Sequence, residues 1–72
     1  MKEQAELVRV LAVCIEILRA DLQSTLECSC LLDADRHPIR STLDPAIAPD
    51  VRRLEAVIAA AVAALERERA KC

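Results

Sequence analysis

The chain has 72 residues, is 54% hydrophobic and carries 10 basic against 12 acidic side chains, for a net charge of −2. A chain this short holds one domain at most and, even as a globule, hides only about 60% of its unfolded surface, so disulfides, a metal or a partner usually complete it. It has no Gly, Phe, Tyr, Trp or Asn, which removes two-residue primed hairpin turns and Gly-rich phosphate loops and base-stacking platforms, while the near-balanced charge gives no drive toward nucleic acid or an anionic membrane.

The first predicted element is a helix over residues 3–31. Glu3 and Glu6 stand in its first turns, where acids favour the helix dipole. Leu11, Ile15, Leu18 and Leu22 recur at spacings of four, three and four, the seam of a bundle or coiled-coil helix. Val8 and Leu26 extend that seam. A second apolar stripe runs beside it through Leu7, Val10, Cys14 and Ile17. Glu6, Arg9, Glu16 and Arg19 are left as a narrow polar ridge, with Glu6–Arg9 and Glu16–Arg19 spaced for weak ion pairs.

A polar connection is expected over residues 32–44. Pro38 removes a backbone donor and biases His37 away from helix. Ile39 and Leu43 interrupt the polarity. No Gly stands ready to stop the first helix.

The second helix is predicted over residues 45–71. Asp44 before Pro45 reads as a cap followed by proline at the first helical position. Pro49 then requires either a kink or a single turn followed by a restart at Pro49-Asp50. From Val51 the pattern is regular through Leu54, Ile58, Ala61 and Leu65, with Val57, Ala60 and Ala64 on an adjacent stripe. Glu66–Arg69 and Glu68–Lys71 are spaced for weak pairs at a solvated end.

A helix in a lone hairpin has one neighbour and needs one apolar stripe; these have two. The expectation is therefore all-α: an antiparallel two-helix hairpin, one domain over residues 1–72, pairing into a dimeric four-helix bundle. The residues expected to carry the interaction are Leu11, Ile15, Leu18, Leu22, Val51, Leu54, Ile58, Ala61 and Leu65. The competing expectation is a fragment whose missing helices cover the same faces; the Met1 start weighs against it. A heteromeric bundle with a helical protein partner is the other form the association takes. Hydrophobicity this high argues against disorder.

The longest uncharged run, Ala56 to Leu65, is about half of the ~20 residues a membrane span needs. Charges at Glu3, Glu6, Arg9 and Glu16 break up any secretory leader. Leu11-Ala12-Val13-Cys14 has only the outline of a lipoprotein box, with Val13 where a small residue belongs. A cytoplasmic, reducing setting is expected, with Cys14, Cys28, Cys30 and Cys72 as free thiols and Cys72 exposed and open to oxidation between chains.

The single metal-like grouping is Cys28-Ser29-Cys30 with His37, one ligand short of a closed zinc site. Thiols two apart on a helix diverge, so apolar thiols and no metal are expected. His37 with Asp35 and Ser41 lacks the mass to form a catalytic pocket, and Asp33 with Asp35 reads as a solvated turn. Arg36, His37, Arg40, Arg52 and Arg53 form a modest basic cluster interleaved with Asp33, Asp35, Asp44 and Asp50, expected to be a mixed-charge solvated end. The expected architecture resembles two small-protein groups. One is the plasmid copy-number regulator that binds paired RNA hairpins as a dimeric helical hairpin, whose turn is similar to Leu32-Asp33-Ala34-Asp35. The other is the hairpin co-chaperones of bacterial type III secretion, similar in size. The chain departs from the first in lacking basic and aromatic residues along its first helix. The functional expectation is a non-enzymatic, self-associating interaction protein of regulatory, adaptor or co-chaperone type, without cofactor. A dimeric RNA- or DNA-binding regulator and a thiol-based metal binder are the alternatives.

Overall fold

Helix α1 spans Lys2–Ser29 and helix α2 spans Ala48–Ala70. They pack side by side as an antiparallel hairpin in this computed structural model, which describes residues 2–71 and the side chains of residues 3–71; Cys72, expected to be an exposed thiol, lies outside the described residues. The packing follows from the spacing. On α1 the buried and half-buried positions are Gln4, Val8, Leu11, Ala12, Ile15, Leu18, Leu22, Thr25, Leu26 and Ser29, and on α2 they are Ala48, Val51, Leu54, Glu55, Ile58, Ala61, Val62, Ala64, Leu65 and Glu68. Alternating steps of three and four keep one line of side chains toward the neighbouring helix. Ile15, Leu26, Val51 and Leu65 are buried, Val51 to 1% exposure. The Gln4 side-chain amide donates to the Glu68 carbonyl at 3.3 Å and fixes the register at the open end.

Helix α1 stops two residues before its predicted end at Leu31. Its last helical bond runs from the Cys30 N–H to the Leu26 carbonyl. Two groups far along the chain then take over. The Leu31 N–H donates to Thr42 Oγ1 at 2.8 Å, and the Asp44 N–H donates to the Ser29 carbonyl at 3.0 Å. The Thr42 hydroxyl in turn donates to the Ile39 carbonyl at 2.6 Å. A helix end without Gly is thus closed by a hydroxyl and an amide from the segment that leads into the second helix.

The connection is more regular than a polar loop. Leu31–Leu32 (β1) and Pro38–Ile39 (β2) pair antiparallel, Leu31 with Ile39 and Leu32 with Pro38. The link between them is not the two-residue turn that Gly would allow. The Asp33 N–H bonds the His37 carbonyl and the Arg36 N–H bonds the Asp33 carbonyl, which leaves a three-residue loop. Arg36 takes the left-handed conformation at φ 64°. Asp33 Oδ1 accepts from the Asp35 and His37 N–H groups, both at 2.9 Å. These bonds hold an ordinary L-residue in a conformation usually left to Gly.

One 3-10 turn, Arg40–Thr42, leads to Asp44. Asp44 Oδ1 accepts from the Ala46 N–H at 2.9 Å, and its carbonyl accepts from Ile47 and Ala48. A single turn over Pro45-Ala46-Ile47 therefore precedes the helix, the second of the two arrangements that Pro49 allowed. Helix α2 starts at Ala48 rather than Pro45, and Pro49 falls in its first turn, where no intrahelical partner for its N–H exists.

The whole measures 46 × 24 × 14 Å with a radius of gyration of 15.2 Å. A compact chain of this length has a radius near 11 Å. The smallest dimension is close to the ~10–12 Å width of one helix with its side chains. The molecule is a slab one helix thick. No helix of the described residues is long and apolar enough to cross a membrane.

Candidate functional site

The nine seam residues face one another across the hairpin. Ile15, Val51 and Leu65 are buried there, and Leu11, Leu18, Leu22, Leu54, Ile58 and Ala61 are half-buried. Leu18 meets Leu54 in a groove on one flank, and Leu22 meets Ile58 in a groove on the other. These residues spend most of their apolar area on holding the hairpin together.

Along the helices, the uncovered apolar area lies mainly on the stripes beside the seam. Leu7, Val10, Val13 and Ile17 on α1 and Val57 on α2 are all exposed, Ile17 to 63%. The two grooves show how this area is distributed. The front groove, about 330 Å³, has Leu18, Leu54 and Val57 in its wall and Asp21, Asp50 and Arg53 at its tip end. Helical spacing continues the same flank from Asp21 back through Ile17, Cys14, Val10 and Leu7, and from Val57 on through Ala60 and Ala64. The back groove, about 450 Å³, is edged by Arg19, Glu55 and Glu66 around Ala59 and Val62. Arg9 and Glu16 extend that flank along α1. One flank of the slab is apolar through its middle and the other is charged.

The tip is a second exposed feature. Leu31 is 68% exposed, and Leu32 and Ile39 are exposed beside it. Arg40 leaves the tip to form a bidentate pair with Glu55, Nη2 to Oε1 at 3.0 Å and Nη1 to Oε2 at 3.2 Å. The hydrogen bond from Arg40 holds the Glu55 carboxyl below the usual glutamate range, and the same bond raises the Arg40 guanidinium. Of the four helix-surface pairs expected from spacing, Glu68–Lys71 closes, at 3.2 Å. The Arg40–Glu55 pair spans fifteen residues and had no short-range signal.

Cys28, Cys30 and His37 do not converge. Among the described residues the donors that come together are Asp33, Asp35 and His37, with ligand atoms all within 4.8 Å and all three residues exposed. One oxygen of Asp33 is already committed to two backbone N–H groups. His37 Nδ1 lies 4.0 Å from the other. Cys14 and Cys28 are exposed free thiols and Cys30 is half-buried. Within the Arg cluster, Arg40 is held by Glu55, and Arg53 shares the front groove with Asp21 and Asp50.

No protein-family model, curated protein or solved structure matches the chain.

Proposed function

We propose that the chain is a protein–protein interaction module that works by self-association, two hairpins stacking their slabs into a four-helix bundle. The observation that carries this reading is the excess of surface. The chain exposes 5433 Å², whereas a compact monomer of 7.9 kDa exposes about 4400 Å². The difference, roughly 1000 Å², is close to the ~800 Å² that each partner buries in a standard protein interface. Domains are built from at least two packed layers around a core, and this chain supplies one layer. The apolar residues outside the seam supply what such a contact buries.

The role that follows is structural and regulatory: an assembled hairpin pair presents two tips, each with exposed Leu31, Leu32 and Ile39 among its polar residues, to whatever it adapts or regulates. Sedimentation equilibrium of the purified chain tests this. The expected mass is twice the 7.9 kDa of one chain at micromolar concentration. A folded species at the single-chain mass contradicts it.

A further inference from the structure

The two flanks of the slab differ in kind, and that difference selects the face on which a second copy sits. We propose that the hairpin dimerises through its front flank, with α1 of one copy antiparallel to α1 of the other across a two-fold axis. This proposal rests on the self-association argued above and specifies its geometry.

The back flank carries Arg9, Glu16 and Arg19 on α1 and Glu55 and Glu66 on α2. Burying it would strip water from several charges at once. The front flank keeps charge to its ends, Glu3 at one and Asp21, Asp50 and Arg53 at the other, with apolar or small residues between.

Spacing then selects orientation. The exposed stripe Leu7, Val10, Cys14, Ile17 steps by three, four and three, so it reads the same in both directions. An isologous contact places each residue of the patch against the patch of the second copy. Antiparallel pairing sets Leu7 against Ile17 of the second copy and Val10 against its Cys14, a large side chain opposite a large one at the ends. Slipping one helix by a heptad sets Asp21 against Val10 or Glu3 against Cys14. The chosen register keeps these acids at the rim, Glu3 level with Asp21 of the second copy and Asp21 near Arg53, whereas either slip carries a carboxylate into the apolar stretch, so the flanking acids resist it. Helix α2 agrees with this centre. Gln4 lies beside Glu68 and Leu18 beside Leu54, so the midpoint of the α1 stripe lies level with about residue 60 of α2. Ala60 and Ala64 stand near that level, and their small side chains let the α2 helices approach. The surface needed is available: the excess over a compact monomer matches what each partner of a stable dimer buries.

The test uses full-length chains. Ile17→Lys and, separately, Val10→Glu place a charge on the front flank at exposed positions, and Ala63→Lys does so on the back. Circular dichroism establishes that each variant keeps its helices. The expected result is a dimer dissociation constant raised at least ~30-fold by each front-flank variant and changed less than ~3-fold by Ala63→Lys. Orientation is read by disulfide trapping in a background with the native cysteines replaced. Chains carrying Leu7→Cys mixed with chains carrying Ile17→Cys should cross-link rapidly under mild oxidation, and either alone should not. Leu7→Cys chains that cross-link alone as fast as the mixture overturn the antiparallel arrangement. A dimer that survives Ile17→Lys and Val10→Glu overturns the choice of flank while leaving self-association standing. A wild-type chain that is folded and monomeric overturns self-association itself.

Discussion

Arg36 carries the least comfortable backbone in the chain. Its φ of 64° costs an L-residue roughly 1–2 kcal/mol, and Gly, free of that cost, gives back part of the gain in chain entropy. Arg36→Gly should therefore stabilise the hairpin by about 0.5–1 kcal/mol in urea denaturation. A loss of stability would mean that the Arg36 side chain holds something at the tip. Glu55 makes the complementary case. Its pair with Arg40 is bidentate but half-exposed, with side chains 51% and 41% accessible, so water and salt screen it and its worth is about 1 kcal/mol or less. The Arg40 bond lowers the Glu55 carboxyl. The native state thus binds that proton more weakly than the unfolded chain. The contribution is fully present above the ordinary glutamate range and is lost as pH falls through the lowered value. Glu55→Gln should remove this acid-side slope and the salt sensitivity with it, measured by melts at several pH values. Neither residue announced its role in the sequence. A left-handed Arg has no composition signal, and an ion pair fifteen residues apart depends on where the tip returns the chain.

At the scale of elements, the helices were legible because their period reports the packing that holds them. Leu11, Ile15, Leu18, Leu22 and Val51, Leu54, Ile58, Ala61, Leu65 sit along the contact line that their spacing implied. Leu65→Ala should cost about 2–5 kcal/mol for the cavity it leaves. In a hairpin this small that loss should abolish cooperative melting. Pro49 separates two mechanisms. In a helix interior it would cost ~3 kcal/mol, and Pro49→Ala would recover that. In the first turn, where the structure places it, Pro49→Ala should change stability by no more than about 1 kcal/mol, and in the unfavourable direction, through added freedom of the unfolded chain. The end of α1 and the β1–β2 ribbon were not legible. Both depend on Thr42 and Asp44 reaching back to Leu31 and Ser29, contacts that no local pattern encodes.

The molecule as a whole is a single layer with two unlike flanks. The seam residues expected to carry the interaction form the contact between the chain's own helices. Of the exposed large apolar side chains, Leu7, Val10, Ile17 and Val57 lie on the stripes beside the seam, with Val13 next to them and Leu31, Leu32 and Ile39 at the tip. That surplus was visible in the sequence as hydrophobicity beyond what one neighbour can cover. The difference between a flank left apolar in its middle and one charged along its length was not, because it depends on the antiparallel register that brings Glu55 and Glu66 to the same groove as Arg19. If the slab is completed by a second copy, folding and association are one equilibrium, and stability depends on concentration. Thermal melting followed by circular dichroism over a hundredfold range of chain concentration measures this directly. The midpoint should rise by about 4 °C for each tenfold increase. A cooperative transition whose midpoint does not move with concentration would contradict it.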